Sequence, residues 1–218
     1  MDGLAKKIKQ KDLDMSYQYD VFLSYSRTPT QAQWVNEIFL QLFRDFLTDA
    51  VNIRELRIFQ DTEAIGSSDA WPERIRNALA HSKSMVCIWS PAYFNSEWCL
   101  REFAAMRHRE QELSLRSLSN PAGLVSPLKI FDGEFFPDYT TSYQCEDYRN
   151  FFRVGEAFTK TPPYCDFQTS LQNWVVKVAD VIRNAPAWSA DWLTPAWLDE
   201  PYVKLPKPAP LHARRPTL

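Results

Sequence analysis

The sequence predicts an α/β fold in which helices cover both faces of a parallel sheet. Two observations lead to this prediction. Short apolar runs, typical of strands covered on both faces, recur along the chain, and amphipathic helical segments separate them. Strands joined by helical connections of about ten or more residues pair in parallel, through right-handed crossovers.

The first half of the chain supplies two strands and one long helix. Tyr19–Tyr25 is nearly all apolar and reads as a central strand. From Gln31 to Ala50 apolar residues recur at spacings of three and four, which predicts an amphipathic helix. Leu56–Phe59 is predicted as a second strand, and a polar loop follows it.

The same alternation continues through the middle of the chain. Pro72 fits the first turn of a helix, and Met85–Ser90 repeats the pattern of a buried strand. Asn95 or Ser96 can cap the next helix. Leu128–Phe131 is predicted as a fourth strand, and no element is placed in the irregular, aromatic stretch after it.

These elements define three parts of the chain. Residues 1–16 are polar and are expected to form a flexible N-terminus, and residues 17–185 are predicted as one domain. An apolar stripe over Phe167–Ile182 predicts its last helix. Residues 186–218 contain seven of the prolines and read as a Pro/Trp-rich tail. The tail tryptophans, Trp188, Trp192 and Trp197, are expected either to fold back onto the domain or to contact a partner.

Charge and glycine content exclude several function classes. With 25 Lys and Arg against 27 Asp and Glu, the net charge is −2, so we expect no direct binding of nucleic acid. The five glycines stand far apart and form neither a dinucleotide-binding fingerprint nor a phosphate-binding loop.

The cysteines and histidines predict no metal centre. The four cysteines form no CxxC pair, and neither His81 nor His108 has a second ligand at metal spacing. No secretory signal is recognised, and the longest apolar stretch, Met85–Phe94, is too short to span a membrane. We therefore expect a cytoplasmic protein with reduced thiols and no membrane contact.

Four motifs occur in a fixed order and together carry a family resemblance. They are Tyr19–Ser26, then Ile58–Asp61 followed by Ile65-Gly66, then Ile88–Tyr93, and finally Ser96–Glu102. In this order, and with the predicted strands and helices between them, they resemble the Toll/interleukin receptor (TIR) domain over roughly residues 17 to 131.

The resemblance implies a flavodoxin-like fold in one of two roles. The first is a TIR enzyme of the NAD-cleaving bacterial type, an NAD⁺ glycohydrolase or ADP-ribosyl cyclase acting as effector or signal generator in antiphage defence. The second is a non-enzymatic module that makes homotypic or partner contacts. A receiver-like domain is disfavoured because Ser24, Tyr25 and Ser26 stand where an acidic cluster would be expected.

The resemblance points to Glu102 as the catalytic residue, within the stretch that begins at Trp98. Four residues apart on a helix, the two side chains share one face. A carboxylate can stabilise the oxocarbenium-like cation formed when an N-glycosidic bond breaks, and nicotinamide needs no protonation to leave. The competing interpretation is that Glu102 complements a helix dipole and Trp98 belongs to the core.

Further candidates for substrate binding follow the first two strands. Arg27 is the candidate for the NAD phosphates. Asp61 and Trp71 bound a loop that in the family gates the pocket or contacts a neighbour, and Trp71 is expected either to stack on a ring or to staple the helix entry. The other candidates lie at the end of the first strand: Ser24, Tyr25 and Ser26.

The expected ligands and partners follow from the same resemblance. NAD is expected as substrate and no cofactor is expected. Since TIR enzymes are typically switched on by assembly, we expect self-association, low activity as a monomer, and a separate activating protein or ligand.

Overall fold

A computed structural model describes residues 16–53, 55–61, 73–118 and 121–206. These residues contain one five-stranded, wholly parallel sheet in the order β2-β1-β3-β4-β5. This is the strand order of a flavodoxin-like, doubly wound sheet, and it confirms the predicted fold class. The strands are β1 (Tyr19–Tyr25), β2 (Ile58–Gln60), β3 (Ser82–Trp89), β4 (Val125–Lys129) and β5 (Glu146–Asp147).

Helices lie on both faces of the sheet. They are α1 (Pro29–Trp34), α2 (Leu40–Val51), α3 (Glu73–Ala80), α4 (Pro91–Phe94), α5 (Glu97–Glu112), α6 (Pro162–Arg183), α7 (Pro195–Leu198) and α8 (Glu200–Lys204). A π-helical segment, Val35–Phe39, joins α1 to α2, so the helix predicted over Gln31–Ala50 is continuous but locally widened.

Strand β1 separates two apolar clusters because its side chains alternate between the faces of the sheet. Val21 and Leu23 pack in the cluster that α2 and α6 complete. Phe22 packs in the other cluster, with residues of α3 and α5. Ser24 shares the face of Phe22, so its hydroxyl is directed towards α5.

The β4–β5 edge departs most from the sequence prediction. β4 begins three residues before the predicted Leu128 and contains Pro127, which pairs with Cys87. A proline within a run argues against a strand because it cannot donate to the ladder. β5 has two residues, Glu146 and Asp147, both acidic, and so short a polar strand has no alternating pattern to detect.

The described part of the tail folds back onto the α3 and α5 face. Trp192 and Leu198 are each 3% exposed, and the indole Nε1 of Trp188 donates to Ala80 O at 3.1 Å. Asp199 forms an ion pair with Arg76 of α3 at 3.0 Å. The tail tryptophans therefore follow the first of the two expectations, packing against their own domain.

The four cysteines are free thiols. Within the part of the chain that the structure describes, no helix is both long enough and apolar enough to cross a membrane.

Candidate functional site

A pocket of about 280 Å³ opens beyond the carboxyl ends of β1 and β2. This is the edge of a doubly wound sheet where ligands bind, next to the point at which the strand order reverses. The volume is just below the usual range for ligand pockets, about 300–1,000 Å³. Ten residues line it: Phe22, Leu23, Tyr25, Arg27, Asp61, Ile75, Ser96, Trp98, Cys99 and Glu102.

Helix α5 carries the carboxylate of the pocket. Ser96 caps the helix, accepting a hydrogen bond from Cys99 N at 3.4 Å, which confirms one of the two predicted caps. Glu102 lies two turns further on and is only 7% exposed. Its Oε2 accepts a hydrogen bond of 2.6 Å from Ser24 Oγ at the end of β1. The carboxylate is thus held to the sheet while it lines the pocket.

Burial dominates the electrostatics of Glu102. Loss of solvation raises the pKa of its carboxyl to about 7. The Ser24 hydrogen bond and the Arg27 charge act in the opposite direction, and the Asp61 charge adds to the rise in pKa. At neutral pH the protonated and ionised forms are therefore both populated.

Two arginines meet one aspartate at the pocket. Asp61 follows β2, its side chain is 5% exposed, and it forms ion pairs with both Arg27 and Arg74. The guanidinium-bearing side chains remain 34% and 46% exposed, respectively. Arg27 and Arg74 therefore place positive charge beside the buried carboxylate of Asp61. Arg74, on α3, has no motif around it and was not among the sequence candidates.

The aromatic candidates have separate positions. Trp98 is half-buried: it lines the pocket and also packs against the core. The pocket position and the core position expected for Trp98 are therefore both observed. Tyr25 is 8% exposed, lines the pocket and accepts a hydrogen bond from Gln60 Nε2 at 2.8 Å. Trp71, with nearly all of the predicted gating loop, lies outside the described residues.

Two serine candidates do not line the pocket. Ser24 lies behind Glu102 and contacts its carboxylate. Ser26 is 7% exposed and is not among the residues that line the pocket.

Sequence reasoning did not propose five of the ten lining residues as site residues: Phe22, Leu23, Ile75, Ser96 and Cys99. Phe22 shares a face of β1 with Ser24, so the period of two could have indicated it. Ile75 and Cys99 come from helices whose rotation about their axes is set by packing. Tyr93 is fully buried behind Ser24, and its hydroxyl lies 3.1 Å from Ser24 Oγ.

The two histidines that the structure describes, His81 and His108, do not line this pocket. His81 stacks on Trp188 with ring centroids 4.9 Å apart, and its Nδ1 is 2.7 Å from Ser16 O. His108 contacts Trp197. In the described ranges, no three His, Cys, Asp or Glu side chains are grouped so that they could hold a metal ion.

Comparison with known proteins places the pocket in a family context. A family model described as the TIR domain matches residues 21–121. The matched segment includes most of β1 and all of β2, β3 and α5, and with them both Ser24 and Glu102.

Two curated relatives are similar over this segment. The chain is 29% identical over 119 residues to "Probable 2' cyclic ADP-D-ribose synthase BdTIR" of Brachypodium distachyon, which covers 54% of this chain and 49% of that protein. It is 30% identical over 95 residues to "Disease resistance protein RPV1" of Vitis rotundifolia, covering 44% of this chain and 6% of that one. The chain thus spans about half the length of the first relative and a small part of the second.

Two solved structures are also similar. The TIR domains of the activated Roq1 resistosome give a TM-score of 0.37 at 20% identity, covering 75% of this chain and 84% of that one. The TIR domain of the Toll-related receptor TRR-2 from Hydra magnipapillata gives 0.40 at 15% identity, covering 72% and 100%.

Proposed function

Because residues 21–121 of this chain are a TIR domain, we propose that the protein cleaves the bond between nicotinamide and ribose in NAD⁺, with Glu102 as the catalytic carboxylate. One observation carries the proposal: Glu102 lines the pocket while it is almost wholly buried and held by Ser24. A non-enzymatic module would have no need of a desolvated carboxylate in a pocket, because burying this charge costs free energy.

The chemistry matches what the site supplies. When the C–N bond breaks, its electron pair leaves with nicotinamide, which becomes neutral, and positive charge develops on the ribose. A carboxylate in a low-dielectric pocket stabilises that charge more strongly than it would in water. The ionised form of Glu102 is the active form, and a hydrogen bond from a ribose hydroxyl would orient the sugar against it.

The remaining pocket residues have complementary roles in this proposal. Arg27, with Arg74 beside it, would bind the diphosphate, and Asp61 would hold the two guanidiniums in place. Trp98 offers an aromatic face to a ring of the dinucleotide. The pocket volume suits one half of NAD, so the other half would extend past the arginines.

The product depends on which nucleophile captures the ribosyl cation. Water gives ADP-ribose and a proton, whereas a hydroxyl of the same substrate gives a cyclic form and a proton. The printed name of the Brachypodium relative, a cyclic ADP-ribose synthase, supports including the cyclic product in the proposal.

We extend the proposal to the biological role. The likeness to a disease resistance protein supports a role in defence signalling, and we propose an effector or signal generator of antiphage defence in the cytoplasm. Self-association, triggered by a separate protein or ligand, would complete the active form and keep NAD loss low in its absence.

The test is nicotinamide release from NAD⁺ by the purified chain, with and without a crowding agent that promotes assembly. We expect release that increases under crowding and falls about 10²–10³-fold in Glu102→Gln, as when one group that stabilises transition-state charge is removed. Glu97→Gln on the exposed side of the same helix is the matched control and should keep full activity. Equal turnover in Glu102→Gln and the parent would remove Glu102 from the mechanism.

A further inference from the structure

We propose that Ser24 and Tyr93 are positioning residues that orient the Glu102 carboxylate and favour its ionised form through a chain of two buried hydroxyls. The inference rests on the proposed function for its catalytic meaning, but the hydroxyl chain is a property of the fold. It joins three elements: Tyr93 in α4, Ser24 at the end of β1, and Glu102 in α5.

The geometry is a continuous path of short contacts. Tyr93 Oη lies 3.1 Å from Ser24 Oγ, and Ser24 Oγ lies 2.6 Å from Glu102 Oε2. Tyr93 is 0% exposed and Ser24 1% exposed, so water does not compete for these hydrogen bonds. The position of Tyr93 is set by Ser90, which caps α4 by accepting from Tyr93 N at 3.1 Å.

When Glu102 is ionised, both hydrogen bonds of the hydroxyl chain are donated in one direction, towards the carboxylate. A carboxylate only accepts hydrogen bonds, so Ser24 must donate its single proton to Oε2. Tyr93 is then the donor at the contact with Ser24. Its other acceptors are farther away, at 3.3 Å for Cys99 O and 3.4 Å for Cys87 Sγ. Burial raises the pKa of Tyr93 well above its usual range, so the phenol keeps the proton it donates.

Both hydroxyls therefore act on the same charge. Ser24 donates to the carboxylate directly, and donation from Tyr93 polarises Ser24 and strengthens that bond. The other groups around Glu102 are Arg27 and Asp61 on the loops after β1 and β2, and the thiols of Cys87 and Cys99, whose pKa values burial raises. Among them, only Arg27 also favours the ionised form.

In this arrangement the two carboxylate oxygens of Glu102 have different partners. Oε2 is occupied by Ser24, so Oε1 is the oxygen with which Glu102 would meet a ribose hydroxyl. The hydrogen bond to Oε2 restricts rotation of the carboxylate. Glu102 is thereby held in one orientation relative to the reacting sugar, which favours the reaction. Removing either hydroxyl should therefore change both the acidity and the alignment of Glu102.

The experiment compares Ser24→Ala and Tyr93→Phe, each of which removes one hydroxyl and little volume. Tyr143→Phe is the matched control: Tyr143 belongs to the same core cluster as Tyr93, and its hydroxyl also donates to a buried carboxylate, that of Glu110, at 3.2 Å. Two quantities are measured for each variant: the pH profile of nicotinamide release, and the titration of the Glu102 carboxyl by carbon NMR of glutamate-labelled protein. Glu102→Gln identifies the Glu102 signal.

We expect the midpoint of both curves to move to higher pH in Ser24→Ala, by about one pH unit, and by less in Tyr93→Phe. At pH 7 this shift alone should lower nicotinamide release about fivefold in Ser24→Ala, and that part of the loss should be recovered at pH 9. Ser24→Thr, which keeps the hydroxyl, should retain the parental midpoint, as should Tyr143→Phe.

An unchanged Glu102 titration in both Ser24→Ala and Tyr93→Phe would overturn the inference, as would an equal loss of activity at every pH. If Ser24→Ala does not fold, Tyr93→Phe decides the question alone, because it leaves the packing of the ring intact. If the parent protein releases no nicotinamide, the NMR titration still tests the hydroxyl chain, and the proposed function alone fails.

Discussion

Ser24 Oγ lies 2.6 Å from Glu102 Oε2, a contact that joins the end of the first strand to the fifth helix across 78 positions of sequence. The contact gives the buried carboxylate a charge-assisted hydrogen bond, which offsets part of the cost of removing it from water. It also explains how a buried glutamate can remain partly ionised near neutral pH.

The first prediction concerns the pH dependence of turnover. Burial raises the pKa of Glu102 to about 7, and only the ionised form stabilises a developing ribosyl cation. Nicotinamide release should therefore rise between about pH 6 and pH 8 and level off above that range. Initial rates at NAD⁺ concentrations well below KM measure this, because kcat/KM reports the pKa of the free enzyme. A value of kcat/KM that falls as Glu102 deprotonates would contradict the assigned role.

The second prediction concerns stability. The pKa of Glu102 is about 7 in the folded chain against the ordinary value of 4.5 for a solvated glutamate, so between these two pH values the folded state holds more protons than the unfolded state. Stability then falls as pH rises through this window. Glu102→Gln removes this loss, since the amide carbonyl can still accept from Ser24.

Urea unfolding at pH 5 and pH 8 measures the effect. The stability of Glu102→Gln relative to the parent should improve by about 2–3 kcal/mol between the two pH values, from 1.36 kcal/mol per pKa unit. Glu97→Gln, on the exposed side of α5, should show no such change. A difference between Glu102→Gln and the parent that does not depend on pH would show that the carboxyl titrates normally.

The third prediction concerns Arg27. Its guanidinium pairs with Asp61 at the pocket, where the diphosphate is proposed to bind. Arg27→Ala should raise KM for NAD⁺ about 10–100-fold, because the loss of one charge-assisted hydrogen bond to the diphosphate corresponds to a change of that size.

The measurement is made at pH 9, because loss of the Arg27 charge also raises the pKa of Glu102 and would reduce kcat at neutral pH. Arg183→Ala, at the end of α6 where the side chain contacts Ala50 O and Asp180, serves as the matched control. An unaltered KM in Arg27→Ala would assign the phosphates to another group.

The fourth prediction concerns the folded part of the tail. Trp192 is 3% exposed and lies over the guanidinium of Arg109, with 3.9 Å between Cζ and the ring centroid. Arg109 is itself buried and donates to Ser82 O at 2.8 Å and to carbonyls at the end of α3. Trp192→Ala should therefore lower the free energy of unfolding by about 3–5 kcal/mol.

Thermal and urea unfolding test this, with Val203→Ala as the control because Val203 is 81% exposed on α8. The control should remain within about 0.5 kcal/mol of the parent. If Trp192→Ala also stays within about 0.5 kcal/mol of the parent, residues 186–206 contribute little to the stability of the domain.

Some structural elements were predictable because their signals are local. β1 has the predicted bounds, since a short run dominated by aromatic and aliphatic residues needs no tertiary information to be recognised. The long helix after it and the last helix were evident from apolar spacing. β5 was not predictable, because a two-residue polar strand forms only where β4 presents an edge to it.

In the site, too, some features were predictable from local sequence and others depend on the tertiary structure. The sequence by itself determined the parallel α/β class and singled out Glu102, Arg27, Asp61 and Trp98, because periodicity and motif order are properties of neighbouring residues along the chain. Only the tertiary structure decided that Ser24 holds Glu102, that Arg74 joins Asp61, and that the tail tryptophans cover α3 and α5. These relationships depend on helix rotation and on contacts between distant segments, and those follow from packing the whole core rather than from any local pattern.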